Sequence, residues 1–183
     1  MPRIQPIQTQ DATGKAKDLL QAVQAKIGMT PNLMKTFAHS LAALEGYLNF
    51  SGALATGVLA PKFREQLAIT IAQANSCEYC LSAHTKFGGM FGVKPEELES
   101  AREAHSADLK INAGLQFAQK VVLQRGLATD ADLATVRQAG YSDAEITEIV
   151  AHVGLNVLTN YLNNVAQTEV DFPRVSLTIA QTV

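Results

Sequence analysis

The sequence has little of what marks secreted, membrane-spanning or nucleic-acid-binding proteins. Its 183 residues include only two cysteines and no tryptophan, and the formal net charge is −2. Two cysteines three positions apart cannot form a secreted disulfide framework, and a chain without a run of Lys and Arg offers no surface to a polyanion. No apolar run approaches the length needed to cross a bilayer. We therefore predict a soluble, cytoplasmic protein that binds neither nucleic acid nor membranes.

Apolar residues at helical spacing are abundant. Hydrophobic residues make up 47% of the chain, and no stretch alternates with a period of two, so we predict an all-α fold. The length allows a buried core without disulfide or metal support. We expect a single domain over residues 1–183, in which 170–183 form an extended C-terminal arm. The predicted helices cover residues 12–26, a segment from 30–31 onwards, 41–59, 61–74, 77 to the glycines at 88–92, 95–105, 107–124, 129–138 and a long last helix that follows 142–145.

Several polar and aromatic residues lie on the predicted helices without an evident chemical role. Tyr79 and Tyr161 are expected to pack in the core with a hydrogen-bonded hydroxyl. Asn160 and Asn164 continue the apolar stripe of the last helix, and we expect them to satisfy polar groups in the core or at a subunit interface. His152 lies beside that stripe. The stripe itself consists of Ile146, Ile149, Val150, Val153 and Val157.

One constellation in the sequence carries chemistry: Cys77, Cys80 and His84. At about 100° per residue, the three side chains share one helix face within an arc of about 60°. Ser76 is predicted to cap a helix that begins at Cys77, and the helix dipole favours a thiolate in the first turn. His84 reaches back to Cys80 and can accept its proton near neutral pH. We therefore predict a reversible thiol/disulfide pair in which Cys80 is the attacking thiol.

Glu65 lies on the preceding predicted helix and is expected to pair with this constellation. It shares a helix stripe with three apolar residues, Ala68, Ile69 and Ala72. A carboxylate on such a face is costly unless it is paired, and His84 comes within reach if the two helices pack antiparallel. We predict a proton relay from Glu65 through His84 to Cys80. The alternative is a surface carboxylate near a helix N-terminus, where its charge also suits the dipole.

The cysteine pair also has a metal-binding interpretation. Cys77, Cys80 and His84 would supply three zinc ligands, whereas a structural site takes four, and the sequence has no second cysteine pair. It also has no nucleotide or flavin fingerprint. We therefore predict no bound metal and no bound cofactor, so that electrons must come from a partner.

The segment PKFREQLAITIAQANSCEYCLSAHTKFG, which starts at residue 61, resembles the core of the carboxymuconolactone decarboxylase and alkylhydroperoxidase D superfamily. The resemblance extends from TPNLMKTFAHS upstream to the DFP near residue 170, as in the subgroup called peroxidase-related proteins. It implies that Cys80 attacks a peroxide, that Cys77 is the resolving cysteine, and that Glu65 and His84 form the relay.

The resemblance further implies a helical homo-oligomer that acts as an oxidoreductase. Superfamily members that act as lactone decarboxylases lack the cysteine pair, so its presence here favours a thiol-dependent (alkyl)hydroperoxide reductase, an antioxidant peroxidase. The implied partners are a peroxide and an external dithiol donor, either a lipoyl-bearing or a thioredoxin-like protein. Some alkylhydroperoxidases have a second histidine where this sequence has Tyr79. Two alternatives stay open: a general protein disulfide reductase, and a redox-sensing or metal-binding oligomeric scaffold.

Overall fold

The computed structural model describes residues 1–178, and over that range every regular element is an α-helix. This confirms the all-α prediction. The helices of the described range are α1 (Gly14–Ile27), α2 (Asn32–Phe37), α3 (Leu41–Leu54), α4 (Pro61–Ala74), α5 (Glu78–Met90), α6 (Pro95–Arg102), α7 (Leu109–Leu123), α8 (Asp130–Gln138) and α9 (Asp143–Ala166). None of them is both long and apolar enough to cross a membrane.

Most helix boundaries follow local signals in the sequence. Pro61 occupies the first turn of α4, where its missing N–H is not needed, and that helix has its predicted bounds. Gly28 ends α1 in the left-handed conformation, with a φ of 79°. Thr129 and Ser142 cap α8 and α9, and both form capping boxes. Proline, glycine and capping hydroxyls thus fix these ends with little help from tertiary contacts.

The end of α3 is different, because it depends on distant residues. α3 stops at Leu54 and not at residue 59 as predicted. The guanidinium of Arg64 donates to the carbonyl of Leu54 at 2.9 Å. Beyond the turn, the carboxylate of Glu148 accepts from the amides of Val58 and Leu59 at 2.8 and 3.1 Å. These side chains satisfy backbone groups that a longer helix would have paired, so the helix ends early.

α4 is the central helix and packs against α5, α6, α7 and α9. Its residues Leu67, Ile69 and Ile71 are fully buried. α4 and α5 run antiparallel: a Cβ atom built on Gly88, near the end of α5, would lie 3.6 Å from the Cβ atom of Glu65, near the start of α4. The antiparallel pair therefore brings Glu65 onto the face of α5 that carries the predicted site.

The long helix α9 turns a mixed set of residues towards the core. Ile146, Ile149 and Val153 are buried as predicted. Val150 is 45% exposed, so its assignment to the buried stripe is wrong; it lies about 100° around the helix from Ile149 and faces away from the core. Tyr161 is 56% exposed, and the prediction that it packs in the core is also wrong.

The segment after α9 has no helix and no strand as far as it is described. Phe172 is buried there, and its ring meets the ring of Tyr79 edge to face with a centroid distance of 5.6 Å. The segment therefore folds back onto α5. The arm predicted from residue 170 onwards is described as far as residue 178, and 179–183 lie outside the described residues.

Candidate active site

The turn between α4 and α5 places both cysteines at the start of α5. Ser76 has a left-handed φ of 52°. The N-cap residue is Cys77, whose Sγ accepts a hydrogen bond from the amide of Cys80 at 3.3 Å. The prediction that Ser76 caps this helix is therefore wrong. Because the chain reverses at Ser76, the sulfur of Cys77 occupies the place of a capping oxygen, and Cys80 lies in the first turn near the unpaired helix amides.

Cys80 is enclosed between α5 and α9. Both cysteines are free thiols; Cys77 is fully buried and Cys80 is 2% exposed. Nδ2 of Asn163 on α9 donates to Sγ of Cys80 at 3.2 Å. The sequence pattern pointed to Asn160 and Asn164 and did not reveal Asn163. The signal that could have found it is the helical spacing of several amides on a largely apolar face, which calls for polar partners in the core.

Glu65 and His84 are in direct contact. Nδ1 of His84 lies 2.8 Å from Oε2 of Glu65, and the two side chains are 26% and 15% exposed. Burial alone lowers the pKa of His84, but the charge of Glu65 and its hydrogen bond outweigh burial and raise that pKa above its ordinary value. The pair therefore favours an imidazolium next to the cysteines. The structure brings together all four predicted site residues on two antiparallel helices.

The two thiols have opposite tendencies to ionise. Burial raises the pKa of the Cys80 thiol, but the hydrogen bond with Cys77, the positive charge of His84 and the amides of Asn163 and Asn160 lower it below its usual value. The hydrogen bond shared with Cys80, together with burial, raises the pKa of Cys77. Cys80 is therefore the thiol that ionises first, and Cys77 stays protonated as a donor to it.

A cavity of about 620 Å³ reaches Cys80 and His84. Its wall is largely apolar and aromatic, with side chains such as Leu33, Met34, Tyr47, Phe87, Phe91 and Phe172. Glu65, Arg64 and Lys26 also line it. A second cleft of about 530 Å³ is lined by Ser76 and Glu78 but by neither cysteine. The first cavity, hereafter the apolar cavity, therefore offers a small molecule a route to Cys80.

His152 and Tyr79 both line the apolar cavity, but their side chains have different surroundings. Burial, followed by the positive charge of Arg64, lowers the pKa of His152 to about 4, so its imidazole is neutral at pH 7. The Tyr79 hydroxyl donates to Oδ1 of Asp171 at 2.8 Å and accepts from the amide of Leu33 at 3.1 Å. Tyr79 is thus a packed residue with a hydrogen-bonded hydroxyl, as predicted.

The metal-binding alternative finds no ligand set in the described part of the chain. Across residues 1–178, no group of three or more His, Cys, Asp and Glu side chains is arranged to hold a metal ion. Cys77, Cys80 and His84 accordingly do not form such a group.

The fold is shared with several solved structures. A peroxidase-related protein from Ralstonia eutropha JMP134, described as an alkylhydroperoxidase AhpD core, superimposes with a TM-score of 0.84 at 23% identity, covering 93% of this chain and 92% of that one. A peroxidase-related protein from Silicibacter sp. TM1040 gives 0.79 at 23% identity and covers 91% of both chains. The debrominase Bmp8 in complex with 2,3,4-tribromopyrrole gives 0.79 at 17% identity, covering 92% of this chain and 91% of its own. At these identities the similarity concerns the fold.

The central part of the sequence matches a known family. No curated protein matches the chain. Residues 41–120, which contain Glu65, both cysteines and His84, match the carboxymuconolactone decarboxylase family. Together with the shared alkylhydroperoxidase fold, this match confirms the relationship predicted from the motif. Residues 41–120, which carry the candidate site, are thus similar to the carboxymuconolactone decarboxylase family, on a fold shared with peroxidase-related proteins of the alkylhydroperoxidase AhpD type.

Proposed function

We propose that the chain is a thiol-dependent hydroperoxide reductase of the cytoplasm. Cys80 is the attacking thiol, Cys77 the resolving thiol, and His84 and Glu65 the proton relay. The observation that carries the proposal is the environment of Cys80: its sulfur accepts a hydrogen bond from an amide, lies near an imidazole whose pKa is raised, and borders an apolar cavity. These are the conditions that favour a reactive thiolate.

The first step is attack of the Cys80 thiolate on the terminal oxygen of a hydroperoxide. The sulfur gains that oxygen as a sulfenic acid, the O–O bond breaks, and the electron pair leaves on the alkoxide. His84 donates its proton to the alkoxide, which departs as an alcohol. The Glu65 carboxylate 2.8 Å from His84 favours the protonated imidazole that this transfer requires.

In the second step Cys77 closes the disulfide. Its sulfur attacks the sulfenic sulfur of Cys80, and the hydroxyl leaves as water with the proton of the Cys77 thiol. The Cys77 sulfur already accepts a hydrogen bond from the Cys80 amide at 3.3 Å, so the two residues lie on one helical turn and need little movement. Because the pKa of Cys77 is raised, its side chain stays a protonated thiol until the sulfenic acid has formed on Cys80.

The third step needs a partner that supplies two electrons. An external dithiol attacks the disulfide, forms a mixed disulfide and leaves oxidised, so that both cysteines return as thiols. We propose a lipoyl-bearing or a thioredoxin-like protein in this role. Both cysteines are buried, so a donor thiol must enter through the apolar cavity to reach Cys80.

We further propose that the chain is a single domain and assembles as a homo-oligomer through α9. The outer face of this helix carries four exposed apolar side chains at helical spacing, Val150, Leu158, Tyr161 and Val165. An apolar stripe of this kind is costly in water and is typical of a subunit interface.

A turnover assay tests the proposed function. Hydroperoxide consumption is followed with dihydrolipoamide or thioredoxin as the donor, for hydrogen peroxide and for a bulky organic hydroperoxide. The proposal requires turnover that Cys80→Ser abolishes. Reduction of protein disulfides without peroxide turnover would instead support the thiol-exchange alternative. Because Bmp8 shares the fold, bromide release from a brominated pyrrole is the third activity to measure.

A further inference from the structure

A row of buried amides on α9 faces the start of α5. Asn156, Asn160 and Asn163 are 5%, 0% and 3% exposed. Asn163 donates to the Cys80 sulfur at 3.2 Å. Nδ2 of Asn160 and Oδ1 of Asn163 are buried and make no hydrogen bond of ordinary length and angle within residues 1–178, although the Asn160 amide lies close enough to the Cys80 sulfur to lower the pKa of that thiol. Buried amide groups without partners destabilise a fold, and an apolar side chain would fill this face at lower cost. The unpaired groups therefore point to a ligand or a reaction state that pairs with them.

The orientation of Asn160 is fixed by a neighbour. Its Oδ1 accepts a hydrogen bond from Nδ2 of Asn75 at 2.9 Å, so its own Nδ2 remains free to donate. Asn75 lies in the short joint between α4 and α5, immediately before Ser76 and the cysteine pair. The same joint that positions Cys77 thus also positions the Asn160 amide. Asn160 and Asn163 lie three residues apart on one face of α9.

We propose that Asn160 and Asn163 form an amide cradle for the sulfur of Cys80: both amides stabilise the thiolate, with Asn163 in direct contact, and both side chains hold the oxygen of the sulfenic acid that replaces it. In the oxidised state Nδ2 of Asn160 donates to that oxygen, and Oδ1 of Asn163 accepts its proton in a hydrogen bond. The donor and the acceptor that are unpaired beside the thiol are the two groups that an S–O–H group can satisfy. The second half of the inference rests on the proposed function.

The cradle acts among other charges around the sulfur. Several titratable groups surround Cys80. They are the N-cap residue Cys77, Tyr79 and His84 on α5, Glu65 on α4 through His84, Tyr47 on α3, and His152 on α9, which lines the same cavity. Tyr47 and Tyr79 are neutral at pH 7, since burial raises their pKa values to about 12 for Tyr47 and above its usual range for Tyr79. Asn163 supplies a neutral donor that stays in place at every pH at which His84 titrates.

The thiolate is tested first, without any peroxide. In a Cys77→Ser background, where Cys80 is the only thiol, the ultraviolet absorbance of the thiolate is titrated against pH. Asn163→Leu is expected to raise the pKa of Cys80 by about one pH unit, which lowers the thiolate fraction at neutral pH by up to about tenfold. Asn164→Leu is the matched control: its amide donates to the carbonyl of Asn75, not to sulfur, and the titration should not move.

Two further variants keep the test decisive. If Asn163→Leu does not fold by circular dichroism, Asn163→Asp keeps the shape and places a carboxylate beside the sulfur, which should raise the pKa of Cys80 further. Asn160→Leu should shorten the lifetime of the sulfenic acid that dimedone traps on Cys80. An unchanged thiolate titration in the folded Asn163 variants overturns the cradle, even if peroxide turnover is normal. If the titration shifts but no sulfenic acid forms, the contact between Asn163 and the Cys80 thiolate stands. The proposed function and the oxygen-binding role of the cradle are then both wrong.

Discussion

Nδ1 of His84 and Oε2 of Glu65 lie 2.8 Å apart across two antiparallel helices, although the residues are 19 positions apart in the chain. The contact places one partly buried carboxylate where it can keep an imidazole protonated. The imidazolium in turn lowers the pKa of the neighbouring Cys80 thiol. Ionisation of the sulfur is thus coupled to a carboxylate on another helix.

Glu65→Gln tests this coupling. Without the carboxylate the pKa of His84 should fall, so that His84 loses its positive charge at a lower pH than in the parent. The pKa of Cys80 should rise as a result. We expect the acidic limb of the activity profile to move to higher pH and the rate at neutral pH to fall about tenfold or more. The imidazole pKa is read by NMR titration and the rate by hydroperoxide consumption. Glu103→Gln, at an exposed position, is the control; an unaltered profile in Glu65→Gln would remove the relay.

Much of this geometry could be predicted from the sequence, because it follows from helical spacing. Cys77, Cys80 and His84 share a face by periodicity alone, and Pro61 fixes the start of the helix that carries Glu65. The one-domain assignment stays a prediction. The features that local sequence patterns did not predict depend on tertiary contacts or on an unusual capping group.

Three residues illustrate that limit. Asn163 donates to a sulfur 83 positions away in the chain, a contact that only the packing of α9 on α5 creates. Ser76 is a favoured capping residue, yet its left-handed conformation gives the role to the sulfur of Cys77, which propensity does not anticipate. Arg64 ends α3 early through a carbonyl ten residues before it.

His152 should make stability depend on pH. Its pKa is about 4 in the folded protein, below the ordinary value of about 6.5 that applies to the unfolded chain. Between these values the unfolded chain binds the extra proton, so the stability contribution is full above about pH 6.5 and is lost as pH falls towards 4. Between pH 7 and pH 5 the loss is about 2 kcal/mol.

Urea unfolding at the two pH values measures this effect. His152→Gln should lose about 2 kcal/mol less than the parent on acidification, since its side chain does not titrate. The raised pKa of His84 acts with the opposite sign, adding stability as pH falls, but it is present in both proteins and cancels in the comparison. His105→Gln, at an exposed site, should behave like the parent. Equal losses in His152→Gln and the parent would contradict a buried neutral imidazole.

Replacing two glycines by alanine should change the stability of the protein in opposite directions. At Gly114 on α7, a Cβ atom would collide with the rings of Tyr141 and Phe63, so Gly114→Ala should destabilise the protein by about 1–3 kcal/mol. At Gly46 on α3 a Cβ atom meets nothing within 4 Å, and Gly46→Ala should stabilise by about 0.5–1 kcal/mol. Thermal or urea unfolding measures both. A neutral Gly114→Ala would show that the α4–α7 packing is looser than described.

A charged residue on the outer face of α9 should weaken the proposed homo-oligomer. Leu158→Lys should shift the protein to a smaller species in light scattering with size-exclusion chromatography, because a lysine at a closed apolar interface is left without a partner. Leu109→Lys is the control: Leu109 is 85% exposed and lies at the start of α7, away from the stripe. If the parent is already a monomer, the proposed interface does not exist.

In the proposed mechanism Cys80 receives the oxygen of a hydroperoxide. The direct measurement is mass spectrometry of the Cys77→Ser and Cys80→Ser variants after one equivalent of organic hydroperoxide in the presence of dimedone. We expect a dimedone adduct on Cys80 in Cys77→Ser and no adduct on Cys77 in Cys80→Ser. An adduct confined to Cys77, or an absence of adduct in both folded variants, would contradict it.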